Sequence, residues 1–146
     1  MKRFIFFAVA FVVILNSCVQ NTKQEDKEQP QEYVIVDGAK IYNEDFVDTK
    51  AEFKGGEEAL MKYLDENINY PLIAMNISLQ GKVYVKFIVR TTGEISNVEL
   101  MRKVHYSLDT EAIRLVINMP KWNPAIKDGK AVSSFCVLPI TWGNLK

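Results

Sequence analysis

Residues 131–142, AVSSFCVLPITW, form an apolar, β-branched run that reads as a strand, with Pro139 standing inside it. Proline has no N–H to give to a ladder, so in a central strand it would leave a neighbouring carbonyl unpaired. The strand therefore belongs at a sheet edge, and that placement restricts every other element. An edge strand offers a row of main-chain donors and acceptors, either to the rest of its own chain or to another.

The other elements follow from periodicity and from prolines and glycines. Lys82 to Arg90, KVYVKFIVR, alternates Val83, Val85, Phe87 and Val89 against Tyr84, Lys86, Ile88 and Arg90, which predicts a strand. Thr91-Thr92-Gly93 is a hairpin turn, and Glu94 to Arg102 returns as a second strand. Ile95 falls out of phase with Val98 and Leu100, so a bulge is expected near Ser96-Asn97. Gly55-Gly56-Glu57-Glu58 opens a helix with Leu60, Tyr63, Leu64 and Ile68 on one face, and it should end near Asn69 because Tyr70 precedes Pro71. Pro71 starts a short second helix, PLIAMNIS. Ser107 is the expected cap of a third, with Leu108, Ala112, Leu115, Val116 and Met119 as its buried stripe and Pro120 as its stop. The loop PKWNPAIKDGKAV then leads into the last strand.

This order predicts an α+β domain: a small three-stranded antiparallel sheet, order 2-1-3, with helices packed on one face and strand 131–142 at an edge. Within a strand, one residue's N–H and C=O point to the same side. If Pro139 points outward, Ser133, Phe135 and Val137 do too, and these three are the expected pairing residues for a partner. Cys136, Leu138, Ile140 and Trp142 then face the helices, while Phe135, Val137, Tyr84 and Ile88 lie on the opposite face. That second face is either a bare contact surface or is covered by residues 33–47.

The N-terminal end sets the compartment. Lys2 and Arg3 precede an apolar run from Phe4 to Leu15, whose twelve residues would rise about 18 Å as a helix, short of the roughly 30 Å of a bilayer core. It reads as a signal-peptide core. Leu15-Asn16-Ser17-Cys18 resembles the lipobox of bacterial lipoproteins, which makes Cys18 the expected lipidation site; an ordinary signal peptide or an uncleaved anchor helix are the alternatives. The domain plan is residues 1–18 as signal peptide and lipobox, 19–32 as a disordered tether, 33–54 as an extended lead-in with short β-prone runs at Tyr33 to Val36 and Phe46 to Val47, and 55–146 as the folded domain. The polar tether would span about 20 Å.

Charge and chemistry narrow the function further. Eighteen basic residues balance eighteen acidic ones, which argues against a nucleic-acid partner. With Cys18 lipidated, Cys136 has no intramolecular disulfide partner and reads as a small apolar packing residue. His105 reads as a surface histidine without metal-ligand spacing, Gly55-Gly56 lacks the pattern of a phosphate loop, and the paired carboxylates read as helix-start or solvated charges. Trp122, between two prolines, is expected to pack over a helix end. No enzyme, cofactor or metal is expected.

Several pieces also occur together in a known order. They are Phe53 with Gly55-Gly56-Glu57-Glu58-Ala59-Leu60, Tyr70-Pro71, Gly81-x-Val83-x-Val85-x-Phe87-x-Val89, Gly93-x-Ile95, and Leu108-Asp109 with Glu111-Ala112. Met119-Pro120-x-Trp122-x-Pro124, Gly129-Lys130-x-Val132 and Leu138-Pro139-Ile140 complete the set. From about Glu52 to Trp142 the chain resembles the C-terminal domain of the TonB energy transducers. The resemblance implies a periplasmic binding module that adds an extended segment, such as the TonB box of an outer-membrane transporter, as an extra strand. The implied partners are such a transporter or another envelope protein, with a second copy of the chain as a further candidate and the membrane engaged through the N-terminal lipid. The implied location is the cell envelope, lipid-anchored and periplasm-facing, with the outer membrane preferred to the inner. The alternative is a genuine energy transducer that keeps its N-terminal segment as an inner-membrane anchor. The chain departs from a transducer in its short tether with one proline, and in Ser78, which stands where relatives have glycine before Leu79.

Overall fold

The computed structural model describes residues 31–143. Lys82 to Arg90 alternates as the sequence requires, and strand β3 (Gly81–Val89) is the result. Its Val83, Val85, Phe87 and Val89 are fully buried. The chain reverses at Thr91-Thr92-Gly93, where Gly93 takes φ +81°, and returns as β4 (Ile95–Arg102). The ladder slips between Lys86 and Ile88, and Asn97 adopts φ +51°, so the expected bulge is present.

Helices α1 (Gly56–Asn67), α2 (Leu72–Asn76) and α3 (Tyr106–Ile117) cover the face carrying those valines. The predicted stripe of α3 is buried throughout. Its cap differs from expectation: His105 is the N-cap, with Nδ1 accepting from the Ser107 N–H at 3.3 Å, because the helix begins one residue before Ser107. His105 is therefore a half-buried structural residue rather than a surface one. Trp122 packs edge-on against Phe87 at 5.2 Å and Phe53 at 5.7 Å, joining the loop after α3 to the core.

The sheet is larger than three strands. Two short strands, β1 (Tyr33–Val36) and β2 (Ala39–Tyr42), form a hairpin around Asp37-Gly38, and β5 (Ala125–Lys127) turns tightly at Asp128-Gly129 into β6 (Lys130–Trp142). The strand path is β1-β2-β6-β3-β4, with β5 also paired to β6. The expected 2-1-3 order survives as β4-β3-β6, and the correction is at the far side of β6, where β2 adds in parallel. Phe46 and Val47 are not a strand; Glu44–Phe46 is a 3₁₀ turn. Gln31 and Glu32, assigned above to the tether, are fixed by the amide and side chain of Asn43 and by an ion pair between Glu32 and Lys127.

One part-buried polar cluster ties α1 to α3. The Glu111 carboxylate accepts from the Asn69 N–H at 2.8 Å and from Arg114 at 2.6 and 2.7 Å, while Arg114 also donates to the Asn67 carbonyl at 2.7 Å. Burial alone would raise the Glu111 pKa, but the Arg114 hydrogen bonds, the Asn69 amide and the Arg114 charge together hold it below its usual 4.5. A carboxylate lowered on folding stabilises fully above the unfolded value, and that stability is lost as pH falls through the folded one. Glu111→Gln is therefore expected to cost about 2 kcal/mol at neutral pH and to flatten the loss of stability below pH 4.5. Urea midpoints measured from pH 7 to pH 3 check both parts.

A second prediction concerns the turn after α2. Ser78 adopts φ +49°, a region that costs a non-glycine residue about 1 kcal/mol. Ser78→Gly should raise stability by about 0.5–1 kcal/mol in the same denaturant assay.

Candidate functional site

The neighbours of β6 change along its length. Against β3 it pairs without interruption, from Gly81 opposite Trp142 to Val89 opposite Ser134. On its other side β2 pairs only with Ser133 and Ser134. Among the described residues no strand pairs with residues 135–141 on that side, so the second half of β6 is an open edge of roughly 20 Å.

The phase of the ladder decides which main-chain groups the edge presents. Antiparallel pairs alternate between hydrogen-bonded and non-hydrogen-bonded. Pro139 lies opposite Tyr84 and cannot complete a hydrogen-bonded pair, so this pair is of the other kind. Phe135, Val137 and Thr141 share its phase, and their polar main-chain groups turn away from β3. Val137 and Thr141 each present an N–H and a C=O, whereas Pro139 presents a C=O alone.

Of the three expected pairing residues, Phe135 and Val137 lie on the open stretch. Ser133 does not, because Ile41 of β2 already pairs with it. The expectation that strand 131–142 is an edge throughout is corrected in the same way. A sequence pattern reports the phase of a strand but not which distant segment fills its flank. Cys18, the expected lipidation site, lies outside the described residues.

Side chains shape both ends of the open stretch. Near Phe135 and Val137, the segment Asn43 to Phe46 forms a hollow of about 220 Å³ together with Lys86 and Met101. The Lys86 ammonium sits 3.9 Å from the centre of the Phe135 ring. Val36 reaches the same strip, lining a smaller hollow with Ile88 and Phe135, and Ile88 is only 1% exposed. The face opposite the helices is thus covered in part by the chain's own residues 36–46 rather than left bare. At the other end, Tyr70, Met75, Ser78, Gln80 and Gly143 line a hollow of about 210 Å³, and α2 exposes Leu72, Ile73 and Met75 beside it, with Ile77 exposed just past its end. Asn43, Glu44, Phe46 and Met101 were not legible as site residues, since nothing local in them signals contact with a strand far along the chain.

Cys136 faces the core between these positions. Burial first, and the nearby Glu44 charge second, push its thiol up to about 12. Burial thus favours the neutral thiol at this position. Iodoacetamide at pH 8 should leave Cys136 unmodified in the folded protein and label it in urea, and rapid labelling of the native chain would contradict this.

The arrangement can do one thing well, which is to accept an extended segment through main-chain bonds, with side-chain hollows at both ends. A family model described as the Gram-negative bacterial TonB protein C-terminal matches residues 66–143. Two solution structures of the Helicobacter pylori TonB C-terminal domain are similar to the chain: one at 15% identity and a TM-score of 0.45, covering 60% of this chain and 78% of that one, the other at 16% and 0.46, covering 61% and 94%. No curated protein matches the chain.

Proposed function

The chain belongs to the family of the TonB protein C-terminal domain, and from that premise we propose that it is an envelope binding module that captures an extended segment of a partner as an added strand along residues 135–141 of β6. The observation that carries this reading is the open half of β6, where Val137, Pro139 and Thr141 turn outward main-chain groups that no strand among the described residues pairs. Strand addition needs donors, acceptors and alternate side-chain pockets, and it needs no catalytic group. The module is a binder rather than an enzyme. Its partner is an outer-membrane transporter with a TonB box or another envelope protein with an exposed extended segment.

The same reading places the domain in the periplasm, held by a lipid on Cys18. Metabolic fatty-acid labelling that disappears in Cys18→Ser supports the anchor. Absence of label together with retention in the inner membrane supports the other reading, a transducer that keeps its N-terminal apolar run as an anchor. Strand capture itself is tested by pull-down from Gram-negative envelope extract on wild type and on Val137→Pro; equal capture by both overturns it.

A further inference from the structure

The segment that closes the first half of β6 is attached differently from the rest of the domain. β2 meets β6 in parallel over two residues only, Ile41 opposite Ser133 and Tyr42 opposite Ser134. Parallel pairing is slightly weaker per residue than antiparallel, and a two-stranded hairpin such as β1–β2 is marginal by itself. Between Tyr33 and Val47 only Ile41 is fully buried.

The remaining ties are half-buried apolar approaches, Val36 toward Ile88 and Phe135 and Phe46 toward Val137, and polar contacts near the surface. Lys127 donates to the Phe46 carbonyl at 2.8 Å, pairs with Glu32 at 2.9 Å and lies 5.6 Å from the Tyr42 ring centre. Arg90 pairs with Asp37 at 3.7 Å. Attachment changes abruptly just after the 3₁₀ turn. The Asp48 and Thr49 amides donate to the Ile126 carbonyl, the Ile126 amide donates back to Thr49, and Phe53 is in the core. A segment with one fully buried apolar side chain, half-buried ones at Val34, Val36, Tyr42, Phe46 and Val47, and a few screened ion pairs, next to a firmly bonded one, can open without unfolding the domain.

We infer that residues 31–47 are a releasable strap, an intramolecular occupant of the same edge that captures the partner. Closed, the strap limits capture to residues 135–141 and stands its Asn43–Phe46 wall at the end of the captured strand. Released by opening near Val47, it frees Ser133 and extends the edge toward Ala131. Because the strap is tethered, it competes at a high effective concentration, so an outside strand gains the longer edge only when the strap is weakened. This inference rests on the strand-capture reading of β6 and adds a regulation to it.

The test uses the full chain and the variants Ile41→Ala and Lys127→Met. By native-state hydrogen exchange, amides in 33–47 should exchange at least tenfold faster in Ile41→Ala and measurably faster in Lys127→Met, while those of Val83 to Val89 keep their wild-type rates. Acceleration of both regions by one common factor, or of neither, overturns the strap. A fluorescent synthetic peptide of residues 33–47, added in trans, should bind Ile41→Ala at least tenfold more tightly than wild type; equal affinity also overturns it. Capture from envelope extract that is still lost in Val137→Pro shows that the edge reading stands even if the strap fails. Capture that survives Val137→Pro removes the edge reading and the strap's regulatory role with it.

Discussion

Gly93→Ala is expected to destabilise the domain by about 3 kcal/mol or more, the largest effect of any single methyl group in the hairpin. Gly93 takes φ +81°, which by itself costs an L-residue about 1–2 kcal/mol. A Cβ built there would also lie 2.1 Å from the Trp122 carbonyl oxygen, far inside contact distance. That carbonyl cannot simply retreat. The Trp122 N–H donates to the Gly93 carbonyl at 2.8 Å, and the Trp122 ring is held between Phe53 and Phe87. Gly129→Ala supplies the control, since Gly129 has a similar φ of +71° but nothing within 4 Å of its added Cβ. Urea unfolding of the two variants should separate them by about 2 kcal/mol, the part due to the clash. Equal losses would mean that the Gly93–Trp122 approach is not rigid.

Val137→Pro is expected to weaken partner capture by at least about 100-fold, roughly 3 kcal/mol, while leaving the domain folded. The Val137 N–H turns away from β3, so its loss breaks no bond in the β3–β6 ladder. It leaves a carbonyl of the captured strand desolvated and unpaired, and the proline ring fills the space where that strand would lie. Leu138→Pro is the informative contrast. Leu138 is one residue out of phase, it faces β3 opposite Val85, and its side chain is in the core, so this change should unfold the domain. Thermal melts and capture measured side by side give the pattern. Strong capture by Val137→Pro, or unfolding of Val137→Pro to the same extent as Leu138→Pro, would place the open side of β6 elsewhere.

Legibility followed the range of the interaction. The β3–β4 hairpin, its bulge and the stripe of α3 were readable because each depends on residues a few positions apart, whereas Trp122, expected over a helix end, is buried by the distant Phe53 and Phe87. Pro139 was readable in a stronger sense, since a missing donor constrains a strand wherever it is placed. Phe135 and Val137 followed from it by phase alone. Ser133 obeys the same phase, yet it is occupied, and no local feature of Ser133 or Ile41 announces their pairing. The same gap hid the contribution of Asn43 to Phe46 to the wall of the site.

The order of residues by itself determined which strand has an unpaired flank, which of its residues turn outward and which face the helices, because alternation and a proline act through covalent geometry within one segment. Only the tertiary structure decided how much of that flank remains open. Strand pairing is made by backbone groups that every residue carries, so the arrival of β2 beside Ser133, and its stop before Val137, depend on where the hairpin and the 3₁₀ turn pack in space.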